Sequence, residues 1–378
     1  MYLSRFLLYF VTMHLETRVN NWIGSITAGK YWLWVSAVLL TAIALFFSFP
    51  SYTDLNPKEW EPLFDKANNL FTNSNYGAGT HAAKLTFRLV LPMIVHYLNL
   101  DITRTLILLG IVGMLNFYLV VRLANSILGD RRQAFIIGLC TALIYLGKCS
   151  FTELRGTMFD GLAMFFLLCA MNTRYHLLTG LFVFLASWTD ERALIASLLV
   201  WMFIAARGSG SLIKRLAGTR LLCINIAWFV YVSVRAQLVN TYGLHTDTGG
   251  VGIHILLDQI NNIPLGVWSA LEGLWILVLF GFVLLYQQRH YIEMLVLFGV
   301  CALILFVGLS VVDITRSVLY IYPVVFVALA LVHKYADKAV FNRLLWLALI
   351  LCFAYPAYYT GGKSSVWWTY PLPLQMLR

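Results

Sequence analysis

An isolated acid beside aromatic residues is the first candidate for chemistry. Asp54 follows a long apolar run, in the segment Pro-Ser-Tyr-Thr-Asp-Leu-Asn. A carboxylate at a membrane surface has access to water, and it can accept a proton from an incoming nucleophile. A solvated loop acid or a helix-flanking cap would give the same pattern, so the spacing leaves both interpretations open.

A second group of candidates is cationic. His81, Lys84 and Arg88 recur at i, i+3 and i+7, which predicts a stripe along one helical face. Arginine is a planar donor that suits phosphate oxygens, and lysine is a compact point charge. The stripe would suit a lipid-linked phosphate, or it could extend its charges to ordinary lipid headgroups.

Further charges stand at the ends of apolar runs later in the chain. They are Glu153, Arg155, Asp160, Asp190, Glu191, Arg192, Asp313 and Arg316. Charges at span ends inside a bundle usually pair with one another or line a cavity, so we expect a polar cavity open to the outer side. Thr189 and Asp190 could instead cap the next helix. His245, Asp247, His254 and Asp258 match no metal-site spacing, so no metal site is predicted, and the use of a divalent ion stays open.

The composition identifies the elements that must position these residues. Of 378 residues, 60% are apolar or aromatic and 12% are charged, whereas a soluble domain has ~45–50% and ~25%. A soluble enzyme, a disordered chain and a disulfide scaffold are therefore excluded. We predict an all-α polytopic membrane bundle of about 11 helices at ~20 residues each. The predicted spans are 31–50, 101–123, 133–148, 157–172, 177–188, 193–206, 220–238, 264–286, 291–312, 317–333 and 344–360.

The first outer loop, 51–86, has a readable local pattern. Asn56 is a typical cap, and Pro57 suits the first turn of a helix. Apolar residues then recur at helical spacing from Trp60 to Phe71, which predicts an amphipathic helix in the membrane surface. An apolar run from Leu89 to Leu98 follows, and Pro92 should bend it.

The charge distribution predicts the orientation. With the N-terminus in the cytoplasm, the cytoplasmic segments hold 15 of the 27 basic residues and four acids, a net +11, and the rest nets −1. This bias is the positive-inside pattern, so the overall +10 does not indicate a nucleic-acid partner. We divide the chain into a cytoplasmic segment 1–30, a bundle 31–360 and an outer tail 361–378.

The order of these motifs resembles that of a known family. Five segments carry the resemblance: the acid of the first outer loop, a re-entering Arg/Pro segment, a span ending in a basic cytoplasmic turn, an outer turn where an Asp opens a span, and a Gly-rich span ending in a charged turn. They are Asp54, Phe87 to Pro92, Tyr118 to Ala124, Thr157 to Ala163, and Gly180 with Thr189 to Leu194. The layout is similar to the integral-membrane glycosyltransferases of the GT-C class, in particular the protein O-mannosyltransferase and aminoarabinose-transferase group.

The resemblance implies a transferase that moves a sugar from a polyprenyl-phosphate donor to a glycan, lipid or protein acceptor. Asp54 would be the base, and the substrate-binding residues would be His81, Lys84, Arg88, Arg155, Asp160, Asp190, Glu191, Arg192 and Arg316. The setting would be a bacterial inner membrane with the site facing the periplasm. The family usually has a lysine where this chain has Asp190, and it often carries a sizeable outer C-terminal domain.

Three other interpretations fit parts of the pattern. A transporter or flippase of lipid-linked or small polar solutes would also need a polar cavity, but with charges near the bilayer midplane. A polymerase or ligase of undecaprenyl-diphosphate glycans would share the arginines and need a bulkier acceptor. A structural partner subunit is the third alternative.

Overall fold

The computed structural model describes residues 18–47, 56–73, 76, 82–151, 159–208, 218–245, 249–354, 359–361 and 364–366. Within them the chain is almost entirely helical. The first helices are α1 (18–28), α2 (Trp32–Phe47), α3 (Glu61–Asn68), α4 (Val90–Leu98), α5 (Ile102–Leu128), α6 (Arg131–Leu143), α7 (Tyr145–Cys149), α8 (Asp160–Asn172), α9 (His176–Thr189) and α10 (Glu191–Arg207). The remainder are α11 (Thr219–Tyr242), α12 (Ile253–Asp258), α13 (Ile263–Leu271), α14 (Trp275–Gln287), α15 (Tyr291–Leu309), α16 (Ile314–Val318), α17 (Val324–Tyr335) and α18 (Lys338–Ala354).

Five helical segments of the described chain are long and apolar enough to cross a membrane. They are Ile102–Leu128, Thr219–Tyr242, Ile260–Gln287, Tyr291–Leu309 and Ile314–Tyr335. Three further apolar helices, α2, α8 and α9, are shorter than 18 residues. The prediction of a helical membrane protein is confirmed, whereas the count of about 11 spans is not.

Large apolar side chains cover the outer faces of the long helices. Phe229 on α11, Leu279 on α14 and Phe298 on α15 are each more than half exposed. An apolar surface of this kind is unfavourable in water, but it is the expected surface of a helix that contacts lipid. These faces therefore support a membrane as the surrounding solvent.

Hydrogen bonds between helices satisfy polar groups in the interior. The hydroxyls of Thr141 on α6 and Tyr322 lie 2.7 Å apart, and both residues are buried. Elsewhere in the bundle, Arg220 of α11 donates to the Thr179 hydroxyl over 2.9 Å and to the Ala170 carbonyl oxygen over 2.7 Å. In an apolar solvent such pairs fix the relative positions of helices, because an unpaired polar group is costly there.

The first outer loop differs from its prediction in two respects. The Asn56 side chain caps the loop as expected, accepting from the Lys58 amide at 3.3 Å. However, the first turn is a 3-10 turn, Pro57–Glu59, and α3 begins only at Glu61. The apolar stripe of α3 also does not face lipid: Trp60 and Leu63 are fully buried, because α3 packs on α4 and on residues 82–87.

A lysine inside this loop was not singled out by the sequence. Lys66 of α3 is buried, and its ammonium group donates to the Thr72 carbonyl oxygen over 2.8 Å. Burial lowers its pKa to about 8, because desolvation penalises the charged form. Near it, Tyr76 donates to Asp65 over 2.5 Å, and burial together with this bond raises the pKa of Tyr76 to about 12.

The prediction that Lys84 and Arg88 share one face of an α-helix was wrong. Residues Ala82–Phe87 form a 3-10 helix, which turns by three residues and does not place i and i+4 on one face. α4 begins at Val90, so Pro92 lies in its first turn and has no helix to bend.

Two further boundaries differ from the prediction. The predicted span 264–286 is interrupted by a 3-10 turn, Glu272–Leu274, where Glu272 has a φ of 45°. The predicted span 344–360 ends early: α18 stops at Ala354, and Tyr359–Gly361 pairs antiparallel with Ser364–Val366 as β1 and β2.

Candidate active site: a cationic cavity beside a buried ion-pair network

Charged residues from α8, α10, α16 and the segment before α4 lie close together. Asp160 opens α8, and Asp190 caps α10 by accepting from the Arg192 amide at 3.0 Å. Arg316 lies on the short helix α16, and Arg88 follows the 3-10 helix before α4. Acids at helix N-termini are favoured by the helix dipole, so the two aspartates suit these positions.

A close backbone approach fixes the start of α8. The carbonyl oxygen of Gly161 accepts from Asn116 of α5 over 3.0 Å. A Cβ atom at Gly161 would collide with the carbonyl oxygen of Cys149 at the end of α7. Only glycine allows this packing, and the neighbouring Asp160 is thereby held in place.

Arg192 is the centre of the buried network. Its Nη2 lies 2.7 Å from Asp160 Oδ1 and 2.8 Å from Asp190 Oδ2, and its Nε lies 2.8 Å from Asp190 Oδ1. Its Nη1 donates to the Ser317 hydroxyl over 2.7 Å, and the guanidinium stacks 4.8 Å above the Tyr320 ring. The side chains of Asp160 and Asp190 are 1% and 0% exposed, so these pairs are shielded from water.

Arg88 and Arg316 join the network from opposite sides. Arg88 Nη2 lies 3.0 Å from Asp190 Oδ2, and its Nε lies 3.4 Å from Glu191 Oε2. Arg316 Nε lies 2.5 Å from Asp160 Oδ2, and its Nη1 lies 3.4 Å from Asp313 Oδ2. Each buried aspartate is therefore bonded by two arginines.

A cavity of about 740 Å³ opens beside this network. Its volume falls in the range of about 300–1,000 Å³ found for ligand pockets. The cationic residues that line it are Lys84, Arg88, Arg192, Arg235 and Arg316, and the acidic ones are Glu191 and Asp313. Five positive and two negative charges give the lining a net charge of +3, which favours an anion.

Two buried guanidinium nitrogens at this cavity have no hydrogen-bond partner within the described part of the chain. They are Nη1 of Arg88 and Nη2 of Arg316, on side chains that are 7% and 6% exposed. Both arginines line the cavity. A buried N–H group without an acceptor is unfavourable, so an acceptor that reached these two donors would stabilise the site.

Apolar residues make up the rest of the lining. Val232, Val251 and Val312 lie at the cavity, and each is more than a third exposed. The cavity thus has cationic residues on one part of its lining and apolar residues on another. An amphiphile with a charged head and a hydrocarbon tail matches both parts.

The structure brings together most of the residues that the sequence singled out. Lys84, Arg88, Glu191, Arg192 and Arg316 line one cavity. Asp160 and Asp190 lie behind it, held by arginines, and do not line it. Asp54, His81 and Arg155 lie outside the described residues.

One lining residue was missed. Arg235 of α11 stacks 3.9 Å above the Phe87 ring, donates to the Tyr231 hydroxyl over 2.7 Å and lies 3.8 Å from Glu191. The sequence feature that could have identified Arg235 is its position inside a predicted span, four residues after a tyrosine. An intramembrane cation is a functional candidate by default.

No group of three or more histidine, cysteine or acidic residues placed to hold a metal ion occurs among the described residues. The carboxylates nearest the cavity are already engaged by arginines, which compete with a cation for the same oxygens.

Comparison with known proteins gives structural neighbours alone. No family model matches the chain, and no curated protein sequence is significantly similar to it. Solved structures of the oligosaccharyltransferase of Archaeoglobus fulgidus are similar to it in part. The apo form has 14% identity and a TM-score of 0.47, and the form with zinc and sulfate has 15% and 0.45. The form tethered to an acceptor peptide has 15% and 0.44. The chain is covered to 89%, 87% and 89% in these comparisons, and it spans 57%, 54% and 56% of the neighbour's length.

Proposed function

We propose that the protein is an integral-membrane glycosyltransferase that moves a sugar from a polyprenyl-phosphate donor to an acceptor on the outer side. One observation carries the proposal: two buried, unpartnered guanidinium nitrogens, of Arg88 and Arg316, at a cavity with a net positive lining. The order of motifs along residues 31–206, which resembles that of the GT-C class, points to the same chemistry.

The phosphate is the leaving group of this reaction. The bond between the sugar's anomeric carbon and the phosphate oxygen breaks, and the acceptor oxygen bonds to that carbon. Negative charge then grows on the departing phosphate, and fixed donors that meet it there stabilise the transition state. Arg88 and Arg316 supply such donors, with Lys84 and Arg235 on the same lining.

The acceptor hydroxyl must lose a proton in the same step. Asp54 is our candidate for the base, on the strength of its place after the first span. Glu191 and Asp313 are the acids that line the cavity among the described residues, and each is bonded by an arginine. Because their oxygens are already engaged by arginines, we prefer Asp54 for this role.

The apolar part of the cavity lining suits the polyprenyl tail of the donor. A polyprenyl tail is hydrocarbon, and it would run along the exposed valines Val232, Val251 and Val312 toward the lipid. An acceptor hydroxyl would approach from the aqueous side. This arrangement gives the two substrates separate routes to one cavity.

The test is a turnover assay on the purified full chain in nanodiscs. Polyprenyl-phosphate hexoses and pentoses would be supplied with membrane extract as a source of acceptors, and release of polyprenyl phosphate would be measured. We expect release that depends on both substrates. Saturable donor binding with no release under any acceptor mixture, combined with movement of the donor across liposomes, would favour the transporter interpretation.

A further inference from the structure

A second cavity lies at the opposite end of the bundle, with a volume of about 600 Å³. α10 connects the two cavities: its first residues, Glu191 and Arg192, line the first, and its last turns, from Trp201 to Ala206, line the second. α15 also starts at the second cavity and leads to Val311 at the first. The second cavity therefore belongs to the face that the charge distribution places in the cytoplasm.

The walls of this cavity are mostly apolar. They are formed by Met202, Leu285, Ile292, Val296, Leu297, Val327 and Leu331. Ile292 is 66% and Val296 47% exposed, on the outer face of α15. A side entrance bordered by exposed apolar residues opens toward lipid rather than toward water.

The polar groups of the cavity lie where α15 begins and α17 ends. The Tyr335 hydroxyl lies 3.2 Å from His290 Nε2, and His290 Nδ1 lies 3.5 Å from Glu293 Oε1. The Lys334 ammonium stacks 4.7 Å from the centre of the Tyr335 ring. Lysine near a span end is a common partner of anionic headgroups on the cytoplasmic side.

One donor at this cavity is unsatisfied. Trp201 lines the cavity, and its buried indole Nε1 has no hydrogen-bond partner in the described part of the chain. Indole is a donor only, so the missing group is an acceptor. A ligand with acceptor oxygens near its head and an apolar body fits both the walls and this donor.

We infer that the second cavity binds a phospholipid with an anionic headgroup. Its phosphate would contact Lys334, its ester oxygens would accept from Trp201 Nε1, and an acyl chain would lie along Ile292 and Val296. Glu293 also lines the cavity, and its carboxylate lies 3.5 Å from His290 Nδ1. We assign the headgroup preference to Lys334, because the cation of a zwitterionic headgroup would compete with the lysine for the lipid phosphate. This site is separate from the transferase proposal and holds whether or not that proposal is correct.

The test is native mass spectrometry of the full chain in detergent, titrated with phosphatidylglycerol or phosphatidylcholine of equal chain length. We expect one phosphatidylglycerol molecule to bind per chain, with phosphatidylcholine retained at least about fivefold more weakly, as one lost charge-assisted contact would give. Lys334→Gln should remove the preference. Trp201→Phe, which keeps the ring and removes the donor, should weaken both lipids by about fivefold.

Two matched controls distinguish this site from general basicity. His333→Gln and Lys338→Gln change exposed residues beside the cavity that do not line it, and both should keep the preference. Thermal unfolding without added lipid would verify that each variant is folded. Equal retention of the two lipids by the wild type, equal effects of Lys338→Gln and Lys334→Gln, or a dimer in place of bound lipid would overturn the inference.

Discussion

Arg192 Nη2 lies 2.7 Å from Asp160 Oδ1, which joins the first turn of α10 to the first residue of α8. The same nitrogen lies 2.8 Å from Asp190 Oδ2. One guanidinium thus compensates two buried carboxylates. The two aspartates are parts of the framework that holds the cavity-lining arginines, and this separates them from the acids that could meet a substrate.

The first prediction is that loss of the Asp160 charge, which two arginines of this network share, destabilises the fold. Asp160→Asn leaves Arg316 and Arg192 with a lost counter-charge in a shielded site, and such changes typically cost about 3–5 kcal/mol. We expect a clear fall in the thermal unfolding midpoint in detergent. Asp101→Asn is the control, because its pair with Arg104 is exposed and worth about 0–1 kcal/mol. An Asp160→Asn protein as stable as the wild type and inactive would instead assign Asp160 to the chemistry.

The second prediction concerns the leaving phosphate. Arg88→Ala should weaken binding of a polyprenyl phosphate by about ten- to a hundredfold, since a buried charge-assisted contact is lost. Arg88→Lys should recover only part of the loss, because the planar fork is absent. Arg88→Ala should destabilise the protein less than Asp160→Asn does, because Asp190 keeps its bonds from Arg192. The measurement is a binding titration with undecaprenyl phosphate in nanodiscs.

Two variants make this prediction specific. Arg316→Lys should weaken binding in the same manner as Arg88→Lys, since each arginine has one unpartnered nitrogen at the cavity among the described residues. Arg104→Gln removes an exposed arginine and should leave binding unchanged. Normal binding by Arg88→Ala would show that its charge serves the buried network and does not hold the phosphate.

The positions of the apolar helices could be predicted from the sequence, since each long run of apolar residues must be helical in lipid. The local cap at Asp190 was also predictable from its place before a helical run. The geometry before Arg88 was not: the spacing indicated an α-helix, whereas residues 82–87, which pack against α3, form a 3-10 helix.

The candidate site was predictable as a set of charged span ends but not as a network. The bond between Arg316 and Asp160 joins residues 156 positions apart, so no local pattern contains it. Arg235 was missed because a single arginine in an apolar run gives no sign of its partners. The division between buried and cavity-lining acids likewise depends on tertiary packing.

The third prediction uses the buried lysine of the outer loop. The pKa of Lys66 is lowered in the folded state to about 8 from an ordinary value of 10.5. Between these values the unfolded chain binds more protons, so its contribution to stability rises as the pH rises from about 8 to 10.5. Below about pH 8 both states are protonated and the burial penalty is present in full.

Lys66→Met should remove this dependence. The variant should unfold at a higher temperature than the wild type at pH 7, and the difference should shrink by pH 10, as measured by thermal unfolding in detergent. Lys58→Met, at an exposed position of the same loop, is the control. A wild-type midpoint that does not rise relative to Lys66→Met over this range would contradict the lowered pKa.

The fourth prediction is the orientation of the chain. The net charges of +11 and −1 predict that residue 74 is outside and residue 209 is cytoplasmic. Cysteines introduced at Ser74 and Ser209 in a cysteine-free background should differ in labelling by an impermeant maleimide in intact cells, with Ser74→Cys labelled. Labelling of Ser209→Cys alone would reverse the orientation, and the cationic cavity would then face the cytoplasm.

The last prediction assigns the base. Asp54→Asn keeps the size of the side chain and removes its proton-accepting charge, so turnover should fall by about 10²–10⁴ while donor affinity changes little. Glu61→Gln is the control on the same loop, since Glu61 is exposed on α3.

Glu191→Gln and Asp313→Asn test the two other candidate bases, because both acids line the cavity. Each is paired with an arginine that we propose binds the phosphate, so loss of either acid should alter donor affinity first. If Asp313→Asn abolished turnover at unchanged donor affinity and Asp54→Asn stayed within a fewfold of the wild type, the base would be Asp313. If all four variants turned over donor normally, proton abstraction by any of these four carboxylates would be excluded, and the glycosyltransferase proposal would fail with it.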